Sequence, residues 1–200
     1  MCAMFRQNAY GLFAMPTIET DRLILRRIAM RDAEDIFAYS KDPEVARHVL
    51  WSAQKHVSEA KDYCRYMARR YRSDEPSSWG IIDKKTDTLV GTIGYMDYNE
   101  ENATVEVGYS LAKWMWNGGY MTEALRRVIS YTFEAMDINR IEAQHELENA
   151  SSGRVMEKCG MIKEGVLRQR LYNKGRYADV ALYAILRSDY EKLKKQGIYG

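Results

Sequence analysis

Polar and apolar positions alternate along several stretches of this chain and switch to a helical period in others. "RLILRRI" (residues 22–28) alternates and predicts a first strand. "MRDAEDIFAYS" follows as a helix, with Asp32 suited to its N-terminal end and Ile36, Phe37 and Tyr39 on its apolar side. Ala60, Tyr63, Cys64, Met67 and Tyr71 fall on one face of a second helix, for which Ser58 is a candidate cap. "SSWGIID" and "TLVGTIGYMDY" read as strands joined by a turn at residues 84–87. The acidic "NEEN" turn leads into another strand, "ATVEVGYSLA". A long helix, "YMTEALRRVISYTFEAM", carries an apolar stripe of Ala124, Leu125, Val128, Ile129, Thr132 and Phe133. After it come a strand, "RIEAQHEL", a short helix after Asn149 closed by Gly160, and a long hairpin through residues 172–175. "SDYEKLKKQG" predicts a final polar helix. This order predicts an α+β domain over residues 16–200, a mixed, mostly antiparallel sheet of about seven strands flanked by helices. Residues 1–15 read as a loose arm or an extended start, with Met15 as an alternative beginning.

Composition narrows the picture. At 46% hydrophobic and 29% charged, the 200-residue chain is neither disordered nor a run of membrane spans. The net charge of +2, with no long basic run, gives no footprint for nucleic acid. Cys2, Cys64 and Cys159 are odd in number and far apart, which fits no disulfide framework and no metal spacing and points to a reducing cytoplasm. His48, His56 and His145 show no ligand spacing and read as surface or packed residues. Cys159, at an apolar position of the short helix, reads as a small buried hydrophobe.

The stretch "KWMWNGGYMTEA" carries the first candidate chemistry. A glycine pair between strand and helix is either a turn or a place where backbone must approach a ligand. The first N–H groups of a helix lack partners within it, and the macrodipole is positive there, so an anion fits. Gly118 and Gly119 leave those amides open, and Thr122 adds a hydroxyl. The spacing matches neither a Walker loop nor the dinucleotide fingerprint.

"VEVGYSLAKWMWNGGYMTEAL" together with "ELENASSGRVMEKCGMIKEGVLRQ" resembles the GNAT superfamily of acetyl-CoA-dependent N-acetyltransferases. Its branch most similar to this chain is the ribosomal-protein-alanine acetyltransferase type. "ETDRLILRRI" and "NKGRYADVALYAILRSDY" add to the resemblance, which covers residues 16–195. It implies that two central strands splay apart in a V, and that acetyl-CoA enters the gap. It further implies that amides of Trp116, Asn117, Gly118, Gly119, Tyr120 and Met121 bind the pyrophosphate, with Thr122 close by. Trp116 and Met121 stand where the family pattern has Arg or Gln and Gly or Ala. Val107, Gly108, Tyr109, Ser110 and Leu111 match the strand that pairs with pantetheine. Asn149, Ser152 and Arg154 match the family's N-x-x-S-x-R. Asn149 would then reach the pantetheine, although a helix N-cap explains it equally well. Ser152, Arg154 and Lys158 would lie towards the adenosine end.

Acetyl transfer requires a neutral amine. About one α-amine in seven is neutral at pH 7, against about four lysines in ten thousand. By the resemblance, Glu106 is the catalytic base; by alternation alone it is a solvent-facing strand residue. The resemblance places Met156 where many relatives have an acidic tyrosine, and suggests Ser152 as its substitute beside the departing thiol. The implied function is acetyl transfer to a primary amine, either a protein N-terminus (ribosomal or other) or a small amine such as an aminoglycoside, polyamine or amino acid. A catalytically silent CoA-binding module is the alternative, and a monomer or homodimer is expected.

Overall fold

The computed structural model describes residues 11–199. Eight strands form one sheet in the order β1-β2-β3-β4-β5-β6-β8-β7. They are β1 (Ile18–Glu19), β2 (Leu23–Arg27), β3 (Ser78–Asp83), β4 (Thr88–Asn99), β5 (Thr104–Leu111), β6 (Arg140–Glu146), β7 (Ile162–Asn173) and β8 (Arg176–Leu186). The helices are α1 (Ala33–Ser40), α2 (Pro43–Ala46), α3 (Val57–Arg72), α4 (Tyr120–Ala135), α5 (Ala150–Lys158) and α6 (Arg187–Lys195). The two-residue β1 and four-residue α2 carry too little periodicity to be read from sequence, which accounts for the expected seven strands becoming eight.

Every pairing is antiparallel except that of β5 with β6. That parallel ladder is short. It joins Thr104 to Arg140, Val105 to Ile141 and Glu106 to Glu142, and then stops. β5 keeps its partner β4 as far as Leu111, and β6 keeps β8 as far as Glu146. The two strands therefore diverge after Glu106, and the sheet opens in a wedge.

Alternation on β5 assigns its neighbours to two faces. The Tyr109 hydroxyl lies 3.1 Å from the Ser152 carbonyl on α5, whereas the adjacent Ser110 bonds Thr92 at 3.1 Å and faces Tyr39 of α1. The stripe read for α4 is buried in full: Ala124, Leu125, Val128, Ile129, Thr132 and Phe133 all pack into the core.

Two expectations need correction. α3 begins after His56, not at Ser58; the Glu59 carboxylate accepts from the amides of Lys55 and His56 at 2.8 and 2.9 Å and closes its first turn. Residues 11–15 are not loose. Phe13 and Met15 are buried in the core, and Asp74 accepts from the amides of Leu12 and Phe13 at 2.8 Å each. The remainder of the expected arm, with Cys2, lies outside the described residues. Among the described residues no helix is long and apolar enough to cross a membrane.

Candidate active site

A cavity of about 450 Å³ runs from the wedge to the N-terminus of α4. Tyr109, Ser110, Leu111, Trp116, Asn117, Gly119, Tyr120, Met121, Thr122, Asn149, Ser152, Arg154 and Lys158 all line it. Asn117 and Gly119 take left-handed backbone, φ +60° and +78°, and Gly119 is the N-cap of α4. That turn leaves the first amides of a sixteen-residue helix facing the cavity. The Trp116 indole donates to the Leu111 carbonyl at 2.8 Å, tying the loop to the end of β5. Met121 is buried in the core and still lines part of the cavity.

Gly118 departs from the expected pattern: it does not line the cavity, and its carbonyl accepts from Arg22 Nη1 at 3.0 Å. Arg22 belongs to a brace that sequence spacing could not reveal. Its Nε donates to Glu123 at 2.7 Å, its amide donates to the same carboxylate at 2.9 Å, and its guanidinium lies 3.9 Å from the Tyr120 ring centroid. The Thr20 hydroxyl completes the set at 2.5 Å from Glu123. The "ETDRL" segment thus clamps the first turn of α4 from 101 residues away.

A second cavity, about 500 Å³, opens between the wedge and α1 and α3. Val107, Gly108 and Glu106 line it, with aromatic walls from Tyr39, Trp51, Tyr63 and Tyr66. Met96 is the extra residue where β4 bulges against β5, and its side chain lies over Gly108, where a Cβ would stand 2.7 Å from it. Glu106 is half-buried and accepts from Gln144 Nε2 at 2.9 Å. Burial raises its pKa above the ordinary value; Gln144 opposes this, and Glu142 and Asp97 add to it. A carboxylate in this state is better suited to accept a proton than one on the open surface. The acidic "NEEN" turn lines neither cavity.

The two cavities share six residues: His48, Val49, Tyr109, Ser110, Asn149 and Ser152. Asn149 occupies the N-cap position of α5 but makes no side-chain cap bond, so its amide remains available to the cavity. The hydroxyls of Tyr109 and Ser152 are 3.0 Å apart. Met156 is buried and supplies no acid, as its side chain dictates. Cys159 is fully buried, and burial pushes its thiol up to about 12, which makes it inert.

Sequence spacing missed the histidines. His48 Nδ1 stands 2.9 Å from the carboxylate of Glu146, which is almost wholly buried. Glu146 also accepts from Asn173 Nδ2 at 2.7 Å and Arg176 Nη2 at 2.8 Å. Burial alone would raise the Glu146 pKa; His48, Asn173 and Arg176 together hold it below the usual carboxylate range. His48, Glu146 and Glu148 gather within 4.8 Å, and Arg176 pairs with both carboxylates, so the protein itself balances their charge. The tip of the β7–β8 hairpin reaches the same place: Lys174 Nζ donates to the carbonyls of Ala46 (2.8 Å) and Val49 (2.5 Å). His145 also lines the 500 Å³ cavity, with Nδ1 2.7 Å from the Glu146 carbonyl and its ring against Tyr183.

An opened sheet with a helix N-terminus at one end of the wedge is the setting in which sequence comparison becomes decisive. Residues 22–162 match the model of the acetyltransferase (GNAT) domain. The chain belongs to the GNAT family of acetyltransferases. The uncharacterized N-acetyltransferase p20 of Bacillus licheniformis is 34% identical over 88% of this chain and 99% of its own. The uncharacterized N-acetyltransferase YoaA of Bacillus subtilis is 36% identical over 86% and 97%. A solved GNAT acetyltransferase from Bacillus anthracis superimposes with a TM-score of 0.77 at 27% identity, covering 86% of this chain and 99% of that one. The acetyl donor of GNAT acetyltransferases is acetyl-CoA. A fold neighbour at 19% identity and TM-score 0.77, the microcin C7 self-immunity acetyltransferase MccE, was solved in complex with acetyl-CoA and AMP; it covers 90% of this chain and 97% of its own.

Proposed function

We propose that this acetyltransferase acts on a primary amine whose end enters the 500 Å³ cavity. In this reading the 450 Å³ cavity holds acetyl-CoA. The observation that carries it is the position of Glu106. Its half-buried carboxylate, bonded among the described residues to Gln144, stands at the last β5–β6 pair, where the wedge begins. Bound acetyl-CoA supplies an acetyl group activated as a thioester. The amides of residues 120–122 at the start of α4 hold the pyrophosphate, and the unpaired edge of β5 from Val107 to Leu111 takes the pantetheine, with Asn149 beside it. Ser152, Arg154 and Lys158 line the same cavity towards α5. Glu106 accepts a proton from the incoming ammonium. The amide of Val107 donates to the carbonyl oxygen as it gains charge. Ser152 offers the departing sulfur a hydrogen bond, which steadies its charge without giving up the hydroxyl proton.

The first acceptor to test is the N-terminal α-amine of a protein, because it is already partly neutral near pH 7 and asks least of a base. A small amine is the second, favoured by a cavity volume within the range of about 300–1,000 Å³ of small-ligand sites. Release of CoA thiol from acetyl-CoA, measured against panels of N-terminal peptides and small amines, separates the two. Glu106→Gln should keep CoA affinity and lower turnover by about 10²–10⁴-fold, most strongly at low pH where little amine is neutral. Wild-type turnover in that variant at every pH would return Glu106 to an ordinary strand position. CoA binding without thiol release across both panels would favour a silent module.

A further inference from the structure

An ammonium acceptor has two protons to lose before it becomes an amide, and the departing thiolate has one to gain. Glu106 accounts for the first. The second proton leaves the nitrogen only as the C–N bond forms, and the sulfur that needs one lies on the other side of the carbon being attacked. The group that serves both must face the acceptor and the coenzyme at once. Six residues line both cavities, and two of them ionise: Tyr109 and His48. Burial raises the Tyr109 hydroxyl pKa far above its ordinary value, so it does not exchange protons near neutrality. Histidine is the residue type that ionises between about pH 5 and 8.

We infer that His48 is a catalytic proton shuttle, oriented by Glu146, which takes the second proton from the acceptor nitrogen and delivers it to the departing sulfur. The inference rests on the acetyl-transfer reading of the two cavities. Three observations support it. His48 Nδ1 is 2.9 Å from Glu146 Oε2, and a carboxylate can only accept there, so Nδ1 carries the hydrogen and Nε2 keeps its lone pair. Nε2 has no hydrogen-bond partner among the described residues, while the ring is only 16% exposed. The turn that carries it is fixed from across the fold, by Lys174 on the carbonyls of Ala46 and Val49, and by Asn173 on Val49 and Glu146. A histidine held by a buried carboxylate, with its second nitrogen open to a cavity, has the geometry of an oriented base.

The step balances. The amine nitrogen bonds to the acetyl carbon, and Nε2 takes its surplus proton; the C–S bond then breaks, and the imidazolium returns that proton to sulfur. The products are the acetamide and CoA thiol, and His48 ends neutral. Glu146 stays ionised throughout, favouring the transient imidazolium. The other charged groups around the ring are Glu148 and Arg176 on the β6 and β8 side, Lys174 at the hairpin tip, and Glu44 and Arg47 beside α2.

The test uses the full chain with acetyl-CoA and the best amine from the panels. His48→Ala should retain CoA affinity by calorimetry and lose about 10²-fold or more in kcat. Added imidazole should restore at least tenfold of that loss, and should do nothing for Glu106→Gln. His48→Gln, which keeps a donor for Glu146, should remain as slow as His48→Ala. Wild-type kcat in either His48 variant overturns the inference. So does a loss that imidazole leaves untouched while CoA affinity and melting temperature are unchanged. If the variants unfold, a wild-type kcat with no solvent deuterium isotope effect, which shows no proton in flight with acetyl transfer, overturns it instead. A wild-type protein that binds CoA but acetylates no amine defeats the underlying reading of the cavities, an outcome distinct from all of these.

Discussion

Glu123→Gln sets two physical effects against each other at the coenzyme loop. The carboxylate accepts from the Thr20 hydroxyl, the Arg22 amide and Arg22 Nε, at 2.5, 2.9 and 2.7 Å. A glutamine can keep the first two on its carbonyl oxygen, but it turns an N–H group towards Arg22 Nε. A hydrogen bond to a charged group is worth about 1.5–3 kcal/mol. Arg22 is 43% exposed, so solvent screening reduces the loss to ~1 kcal/mol. For a chain of this size that lowers the melting temperature by about 2–4 °C. The effect on CoA has opposing parts. Removing an anion from the helix N-terminus favours a bound pyrophosphate by at most ~1 kcal/mol per charge at contact, and by less through salt and distance. Releasing Arg22 frees the Gly118 carbonyl and the Tyr120 ring, and with them the left-handed turn that aims the amides. We expect the second effect to win, weakening CoA by about three- to tenfold. Calorimetric titration with CoA at two salt concentrations measures it. Glu134→Gln, at the opposite end of α4 beside Lys194 and Tyr190, is the control. Binding that is unchanged or tighter in Glu123→Gln, while Glu134→Gln matches wild type, would refute the idea that the brace sets the loop.

Gly119→Val should abolish the thermal stabilisation by acetyl-CoA, which for wild type at 100 times Kd is about 2.7 kcal/mol. The obstacle is backbone, since a side chain in left-handed conformation costs about 1–2 kcal/mol per residue, whereas a Cβ there meets only Arg22 Nη2, at 3.6 Å. Acid should destabilise the fold through Asp32, whose pKa burial would raise but Arg26 and the Ala29 amide hold below the ordinary value. Its folded pKa is depressed, so its contribution is present above the unfolded value of about 3.9 and is lost as pH falls through the folded one. Asp32→Asn, which breaks a paired and nearly buried carboxylate, should cost ~3 kcal/mol at pH 7 and flatten the melting temperature below about pH 4. An unaltered acid profile in that variant would assign the transition to other carboxylates.

The loop proposed to hold the coenzyme was legible as a backbone feature because its parts are local. A strand, two glycines and the start of an amphipathic helix lie within twenty residues, and each has a periodicity or a backbone reason of its own. The splay was legible only through family resemblance: β5 and β6 alternate in burial over their first halves and lose the alternation where they diverge, but that lack of pairing belongs to the pair, not to either sequence. The acceptor side was opaque for a related reason. His48 meets Glu146 from 98 residues away, and Lys174 meets Ala46 from 128. No local spacing records such meetings, so His48 read as one more packed histidine. Ser58 satisfies the capping preference as any serine near a helix start does, and the backbone-to-carboxylate closure by Glu59 that prevails over it is equally local.

The wedge also changes what a free strand edge means for this protein. An edge with unpaired amides normally sits at the rim of a sheet, where a strand from any other chain can add to it and start aggregation. Here β5 from Val107 to Leu111 presents such an edge in mid-sheet, in a cleft lined by Asn149, Ser152, His48 and Val49. A polypeptide strand arrives with side chains on both faces and needs room for them. A slender chain that carries amides and no side branches does not. With acetyl-CoA in the slot as proposed, the feature most hazardous to solubility is covered from within the sheet, so that the coenzyme does for this edge what a neighbouring strand does elsewhere.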